Sequence, residues 1–212
     1  ALLAAAEALP RLMVTVAPEA VSLAQVEALA KAGVVVSLGH TGCTEAEARA
    51  AIRAGASAVT HLYNAMSPLG HRAPGLVGAA LESSVWIGII PDGVHVAETA
   101  FRIASRLAGG RLFAVTDAMA VAGTDLESFT LGGRTILRQD GRLTLQDGTL
   151  AGADVTMPQA LAWMNGLAHD RLADASRLTS GVAATVLRLG DRGWLGPGAR
   201  ADMVHLREDG AL

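Results

Sequence analysis

Ionisable side chains follow short apolar runs at regular intervals along this chain. Glu19 and His40 each come just after such a run, and the interval between them equals the interval between His40 and His61. His95 and Asp117 follow two further apolar runs. Two neutral imidazoles and one carboxylate can form a three-ligand catalytic zinc site whose fourth position stays open to water or substrate. We therefore predict that Glu19, His40 and His61 bind one divalent cation.

Asp117 and His95 would act beside such a cation. A bound divalent cation makes water more acidic and polarises a carbonyl group. Asp117 has no cationic neighbour in its own stretch of sequence. Next to activated water, its carboxylate would serve as a general base and then as the acid for the leaving group. His95 would donate a hydrogen bond to the same carbonyl.

Each of these residues also has a plainer interpretation. A single histidine after a strand is more often a satisfied loop residue. Glu19 precedes Ser22, the predicted N-cap of a helix, and acids are favoured at helix N-termini. Asp117 would equally cap a turn, and Asp92, in the sequence Pro-Asp-Gly, is typical of a turn and is not included in the predicted site. Three other histidines lack this context and are expected to be surface or packing residues: His71, His169 and His205.

Two further segments are candidates for contact with a ligand. A glycine-containing loop after His61 carries Asn64 and Arg72. Backbone amides and a guanidinium group suit an oxyanion such as phosphate, although Arg72 would equally be a solvated loop charge. The stretch from Leu150 to Gly152 offers bare backbone to a ligand, and a simple turn explains it equally well.

The elements that must position these residues alternate between β-branched runs and alanine-rich helical stretches. Strands are predicted at 12–16, 34–38, 58–62, 85–90 and 112–116. Helices are predicted over 1–10, 22–32, 44–54 and 98–107, with a capping box from Thr44 to Glu47. The strands are continuous apolar runs, as in strands covered on both faces, and repeated βα units indicate a parallel sheet. In (β/α)8 barrels, active sites lie at the carboxyl edge of the strands, so the residues after the strands are expected to meet there.

The sequence pattern changes in the second half of the chain. Glycine-containing turns between short alternating strands predict β-hairpins over 128–150. Helices are predicted over 155–168 and 175–189, followed by turns and a last strand at 203–206. We therefore expect a barrel domain over 1–190 with a hairpin insertion, and strands of a small β-sandwich over 191–212.

Composition excludes several classes of function. The 212 residues are 51% hydrophobic and 17% charged, which is too apolar for a disordered chain. A formal charge of −3 makes nucleic acid an unsuitable partner. Cys43 is the only cysteine, so no disulfide can form within these residues and a reducing cytoplasm is expected. No apolar run reaches the roughly 18 residues of a membrane span, and no basic leader precedes the first helix.

Taken together, the strand-end motifs resemble the N-acetylglucosamine-6-phosphate deacetylases of the amidohydrolase superfamily. The motifs occur in order as VTVAPE, SLGHTGCTEAEA, VTHLYNAMSPLGHRAPGL, PDGVHV, VTDAM and TLAGA. The resemblance implies a hydrolase that removes acetate from N-acetyl-D-glucosamine 6-phosphate in amino-sugar catabolism. It also implies that metal-activated water attacks the amide, with Asp117 as general base and acid.

The resemblance further implies roles for individual residues. Glu19, His40 and His61 would be the metal ligands, and His95 would contact the substrate near the scissile amide. The ion would be zinc, with iron, manganese and cobalt also compatible with such ligands. The remaining residues are expected to hold the phosphate or sugar or to line the pocket: Asn64, Ala65, Arg72, Leu150, Ala151 and Gly152.

The fold implied by the resemblance is an α/β (β/α)8 barrel of the metal-dependent amidohydrolase type. Only five βα strands can be assigned here, so the chain resembles the C-terminal part of such an enzyme, and the N-terminal barrel strands are missing from it. A homodimer is also implied, with His71 and Arg72 as candidates for a loop that reaches the partner's site. Two alternatives stay open, an amidohydrolase acting on a cyclic amide or nucleobase, and a non-catalytic sugar-phosphate-binding barrel.

Overall fold

The apolar runs in the first half of the chain form five parallel strands. The structure, a computed structural model, describes residues 1–167 and 172–205. The strands follow one another in sequence order across a single sheet, and neighbouring strands are all parallel. They are β1 (Met13–Val16), β2 (Val35–Leu38), β3 (Ala58–Val59), β4 (Trp86–Ile89) and β5 (Leu112–Ala114). The predicted βα sheet is thus confirmed, and each strand is shorter than predicted.

Helices connect these strands as the sequence predicts. They are α1 (Leu2–Ala8), α2 (Leu23–Lys31), α3 (Glu45–Arg53), α4 (Gly75–Glu82) and α5 (Glu98–Ala108). Ser22 and Thr44 cap α2 and α3, and each makes a reciprocal capping box with the residue three positions later. Helix α4 was not predicted, because its run of glycine, alanine and leucine lies inside a stretch that reads as a loop.

The two faces of the parallel sheet are covered differently. One face packs its alternate residues, among them Val36 and Ile87, against α2 to α5 in the main core. On the other face, Val35 and Phe113 pack against Val182 of the last helix. Continuous apolar strands are expected when both faces are covered. The carboxyl ends of the strands form the edge where the loops carry the predicted site residues.

The second half of the chain forms an antiparallel sheet and more helices. The sheet has the order β6 (Ser128–Leu131), β7 (Arg134–Gln139), β8 (Arg142–Thr144) and β9 (Leu150–Ala153). It confirms the predicted hairpins, and Arg138 anchors it by donating from Nε to the Asp154 carboxylate at 2.5 Å. The helices are α6 (Met157–Leu167), α7 (Leu172–Ser176) and α8 (Val182–Val186), with a π-helical turn at Arg177–Gly181. No helix in the described ranges is long and apolar enough to cross a membrane.

Two expectations need correction. The helix predicted over 175–189 is broken by the π-helical turn and ends at Val186. Residues 201–205 have no regular secondary structure, so the strand predicted at 203–206 is not formed in its described part, and Leu206 lies outside the described residues. Met203 and Val204 are 70% and 74% exposed, since no described strand pairs with them. The parallel sheet is open, with β1 and β5 at its edges, as expected for a barrel that lacks its N-terminal strands.

Candidate active site at the carboxyl edge of the parallel sheet

Several residues at the carboxyl edge adopt a left-handed backbone conformation. His40, His61 and Asp117 lie two or three residues beyond the ends of β2, β3 and β5 and have φ angles of 52°, 31° and 51°. Tyr63 and Ala65, in the loop after His61, have φ angles of 78° and 46°. Positive φ is uncommon outside glycine and costs of order 1–3 kcal/mol for each residue, and such residues cluster at functional sites. Because these strained residues lie together at one edge of the sheet, they support a functional site there.

His40 and His61 form a close pair. Their Nε2 atoms are 2.9 Å apart, and the rings meet edge to face with centroids 4.7 Å apart. His61 is 3% exposed, whereas His40 is exposed. Burial lowers the pKa of His61 below its ordinary value, which favours the neutral ring that a metal requires. Two imidazole lone pairs that converge on one place are the donor set expected for a transition-metal ion.

Glu19 does not join this pair in the structure. Its Oε2 atom accepts a hydrogen bond from the Thr41 hydroxyl, and its Oε1 atom accepts one from the Gly42 amide at 3.2 Å. The Thr41 hydrogen bond, with smaller contributions from backbone amides, holds the pKa of Glu19 below its ordinary range. Residues 1–167 and 172–205 contain no group of three His, Cys, Asp or Glu residues that could hold a metal. The three predicted ligands therefore do not form one group in this structure, and the Glu19 carboxylate is hydrogen-bonded by the loop after β2.

That loop is tied to the next one along the edge. Thr41 is 4% exposed, donates its amide to the Ala65 carbonyl at 3.0 Å, and accepts from the Ser67 amide at 3.0 Å. The Ser67 hydroxyl donates to the Cys43 carbonyl at 2.6 Å. These bonds hold the loops that carry His40 and His61 against each other, and Glu19 braces them from the end of β1.

Asp117 and His61 line the same open pocket. Its walls include Thr15 and Thr60 on the sheet and Met157 of α6. The hydroxyls of Thr15 and Ser37 each lie within 2.8 Å of the Thr60 hydroxyl, so a polar chain crosses the sheet beneath the histidine pair. Asp117 is exposed, which leaves its carboxylate accessible to a ligand.

The segment from Leu150 to Gly152 lies partly at this site. The Ala153 amide donates to the Asp117 carbonyl at 2.9 Å, which brings Gly152 alongside. A Cβ atom on Gly152 would lie 2.4 Å from Met119 Cγ, so only glycine fits this close approach. Leu150 and Ala151 instead line a separate pocket on the antiparallel sheet, together with Met119. Of the three predicted residues, only Gly152 therefore approaches Asp117.

The predicted phosphate-binding residues lie in the long loop after β3. Asn64 is half-buried, and its side-chain amide donates to the Leu62 carbonyl at 3.3 Å, so its own loop uses part of its hydrogen-bonding capacity. Ala65, His71 and Arg72 are exposed. His205 is exposed as expected, and His169 lies outside the described residues.

His95 is held by a residue that the sequence interpretation omitted. Its Nδ1 atom is 2.6 Å from Oδ2 of Asp92, and the two side chains are only 6% and 8% exposed. Burial raises the pKa of Asp92, but hydrogen bonds from His95 and Val94 outweigh it and leave the pKa below its ordinary value. The spacing Asp-Gly-Val-His is visible in the sequence. Because Pro-Asp-Gly is typical of a turn, the sequence did not suggest that Asp92 also binds the His95 ring.

The edge as a whole is suited to bind a metal ion. His61 Nδ1 is buried without a hydrogen-bond partner in the described structure, and Nε2 faces the equivalent atom of His40 instead of a protein donor. An open parallel βα sheet with an imidazole pair and a carboxylate at its carboxyl ends is typical of α/β proteins that bind small polar ligands at that edge.

Comparisons with known proteins narrow this class. No protein-family model matches the chain. The N-acetylglucosamine-6-phosphate deacetylase of Haemophilus influenzae is 40% identical over 181 residues, covering 84% of this chain and 48% of the relative. The N-acetylgalactosamine-6-phosphate deacetylase of a Shewanella species is 36% identical over 199 residues. That match covers 93% of this chain and 50% of the relative.

A solved structure agrees with these relatives. The N-acetyl-D-glucosamine-6-phosphate deacetylase of Mycobacterium smegmatis, a mutant in complex with N-acetyl-D-glucosamine 6-phosphate, superposes with a TM-score of 0.88 at 39% identity. The match covers 94% of this chain and 54% of that one. The chain spans about half the length of the relatives it matches. It is thus related to the N-acetylglucosamine-6-phosphate deacetylases, and the resemblance inferred from its motifs is confirmed.

Proposed function

We propose that this chain supplies part of the active site of a metal-dependent deacetylase acting on N-acetyl-D-glucosamine 6-phosphate. The observation that carries the proposal is the carboxyl edge of the parallel sheet, where His40, His61 and Asp117 all occupy left-handed positions and the imidazoles converge. The relatives named above support the reaction class. The products would be acetate and glucosamine 6-phosphate.

His40 and His61 are the residues that would hold the metal. Nitrogen ligands of this kind suit zinc, iron, manganese and cobalt, so the donor set leaves the metal open. When bound, such an ion supplies Lewis acidity, which polarises a carbonyl group and makes water more acidic. Glu19 stays a predicted ligand, although its hydrogen bonds with Thr41 and Gly42, away from the histidine pair, favour a bracing role.

Asp117 would move the proton in this reaction. Its carboxylate is accessible in the pocket that His61 also lines, so it can accept a proton from the attacking water and return it to the amine that leaves. His95 would bind the acetamide carbonyl from the loop after β4. Gly152, packed against Met119 beside Asp117, would let the backbone approach the substrate closely.

The long loop after β3 would bind the phosphate and the sugar. Asn64, Ala65 and Arg72 lie on it, and the exposed guanidinium of Arg72 is free to reach a ligand or a partner subunit. Leu69 on the same loop is 56% exposed, which suits contact with a second copy in the proposed homodimer. The similarity to both glucosamine and galactosamine enzymes makes the two N-acetylhexosamine phosphates the substrates to compare.

Acetate release by the full-length polypeptide tests the proposal. We expect release from N-acetylglucosamine 6-phosphate, loss of turnover after chelation, and recovery when a divalent cation is restored. Asp147→Asn, in the turn between β8 and β9, is the matched control and should leave turnover unchanged. Turnover that survives complete removal of metal, or no turnover of any N-acetylhexosamine phosphate, would contradict the proposal.

A further inference from the structure

The carboxylate of Asp92 makes more contacts than a turn requires. Its Oδ1 atom accepts the backbone amides of Val94 and His95, each at 2.8 Å, which is the usual pattern of an aspartate turn. Its Oδ2 atom faces the His95 ring at Nδ1. One oxygen thus builds the turn while the other holds the imidazole, and the pair is almost entirely buried.

The loop that carries this pair is tightly packed. Gly93 has a φ angle of 74°, and a Cβ atom there would lie 2.7 Å from the Trp163 indole nitrogen of α6. Trp163 in turn packs edge to face on Phe101 of α5, with ring centroids 5.3 Å apart. The loop therefore packs against α6, which is supported in turn by α5, and the His95 imidazole is buried beside it.

A carboxylate at Nδ1 decides which ring nitrogen carries the proton. An ionised carboxylate only accepts hydrogen bonds, so Nδ1 must donate to it. In a neutral ring, Nε2 is then the unprotonated nitrogen, and a proton gained by the ring would go to Nε2. The low pKa of Asp92, caused by the bonds from His95 and Val94, keeps the carboxylate ionised near neutral pH.

We infer that Asp92 is a positioning residue that fixes the orientation and tautomer of His95, leaving Nε2 as the ring nitrogen available to a ligand. The inference rests on the proposed function, in which His95 binds the acetamide carbonyl. Nε2 donates to that carbonyl oxygen only when it carries a proton, so the binding form is the doubly protonated ring, whose positive charge the Asp92 carboxylate stabilises. It assigns to Asp92 a role that its turn-forming sequence does not suggest.

Asp92→Asn separates the two roles of the carboxylate. The amide oxygen of asparagine can still accept both backbone amides, so the turn is retained. The amide nitrogen replaces Oδ2 and donates a hydrogen bond, so Nδ1 of His95 must become the acceptor and the proton must move to Nε2. A purely structural role would survive this change.

Nitrogen NMR of the full-length polypeptide with labelled histidine reads the tautomer directly. At about pH 8, where an ordinary imidazole is neutral, we expect a protonated Nδ1 on His95 in the wild type and a protonated Nε2 in Asp92→Asn. The control Asp147→Asn also alters an aspartate turn and should leave the His95 signals unchanged. A wild-type ring protonated only at Nε2 would overturn the inference, even if Asp92→Asn failed to fold.

Kinetics of a double-mutant cycle test whether the tautomer matters to the reaction. We expect Asp92→Asn to lower kcat by about 10- to 100-fold with little change in KM, a range known for outer partners of functional histidines. In a His95→Gln background the same change should have almost no effect, because Asp92 acts through His95. Equal losses in both backgrounds would contradict a positioning role. A wild type that releases no acetate would refute the proposed function, and the NMR result alone would then decide the inference.

Discussion

In two regions of this molecule, left-handed backbone is occupied by different kinds of residue. In the turns of the antiparallel sheet it falls mostly on glycine, at Gly132, Gly141 and Gly148, for which it has no steric cost. At the carboxyl edge of the parallel sheet it falls on His40 and Asp117, among others. The chain therefore accepts backbone strain at the edge where the proposed function uses a side chain, and mostly avoids it where a turn has only to reverse direction.

The two regions also differ in what supports them. The edge loops lie over the main core, and the buried Thr41 links them by backbone hydrogen bonds. The core of the antiparallel sheet is a small cluster centred on Val121, Ile136 and Leu143. Strained conformations persist only where the surrounding structure determines them strongly. The edge meets that condition better than the hairpins do.

The largest effect is expected at Asp117. Asp117→Asn keeps the size of the side chain but removes the proton acceptor, so kcat should fall by at least about 10²-fold, with KM little changed. Asp140→Asn, at the left-handed turn residue of the hairpins, is the matched control and should retain full activity. Steady-state kinetics on N-acetylglucosamine 6-phosphate checks both. Full activity of Asp117→Asn would show that Asp117 is not the proton acceptor of the proposed mechanism.

Gly152 tests the place where the two regions meet. Gly152→Ala combines a left-handed alanine with a Cβ atom 2.4 Å from Met119 Cγ, so we expect a loss of about 3 kcal/mol in the free energy of unfolding. Gly132→Ala, where nothing lies within 4 Å of the added Cβ, should lose only about 1 kcal/mol. Urea unfolding measures both, and equal losses would show that the close packing at Gly152 contributes nothing.

Glu19→Gln distinguishes a bracing residue from a metal ligand. Because the carboxylate is exposed, we expect a modest loss of about 1 kcal/mol in stability and no change in metal content. The pKa of Glu19 is lowered in the folded state, so its stabilising effect is present above about pH 4.5 and is lost as the pH falls through the lowered pKa. The wild type and the variant should therefore converge in stability in acid. A variant that loses its metal would restore Glu19 as a ligand.

The smallest expected effect is on stability, when the strained backbone at His40 is relieved. His40→Gly relieves a left-handed histidine, and after the entropic cost of glycine we expect a gain of about 0.5–1 kcal/mol in stability with loss of activity. Asp140→Gly should change stability by less than about 0.5 kcal/mol and leave activity intact, since aspartate tolerates this conformation. Thermal unfolding measures both changes. A His40→Gly variant that is less stable than the wild type would show that the edge stores no strain.

Much of the architecture could be predicted because its signals are local. Continuous apolar runs indicated the five parallel strands, and the pair Thr44 and Glu47 indicated the start of α3. Helix α4 escaped prediction because proline and glycine surround it, and the π-helical turn within 177–181 has no simple pattern. The pairing of His40 with His61 followed from their equal spacing and the parallel sheet. The engagement of Glu19 by Thr41 did not, because it depends on how a loop folds back on a neighbouring strand.

Local periodicity and the residues after each strand were enough to define the βα sheet, the edge that carries the candidate site, and the relationship to sugar-phosphate deacetylases. Three-dimensional packing alone decided which polar groups meet. It joined Asp92 to His95, turned Glu19 toward Thr41, and kept Leu150 away from the histidines that Gly152 approaches. Side-chain hydrogen bonds form between segments distant in sequence, and their geometry depends on backbone angles and burial that a linear pattern does not encode.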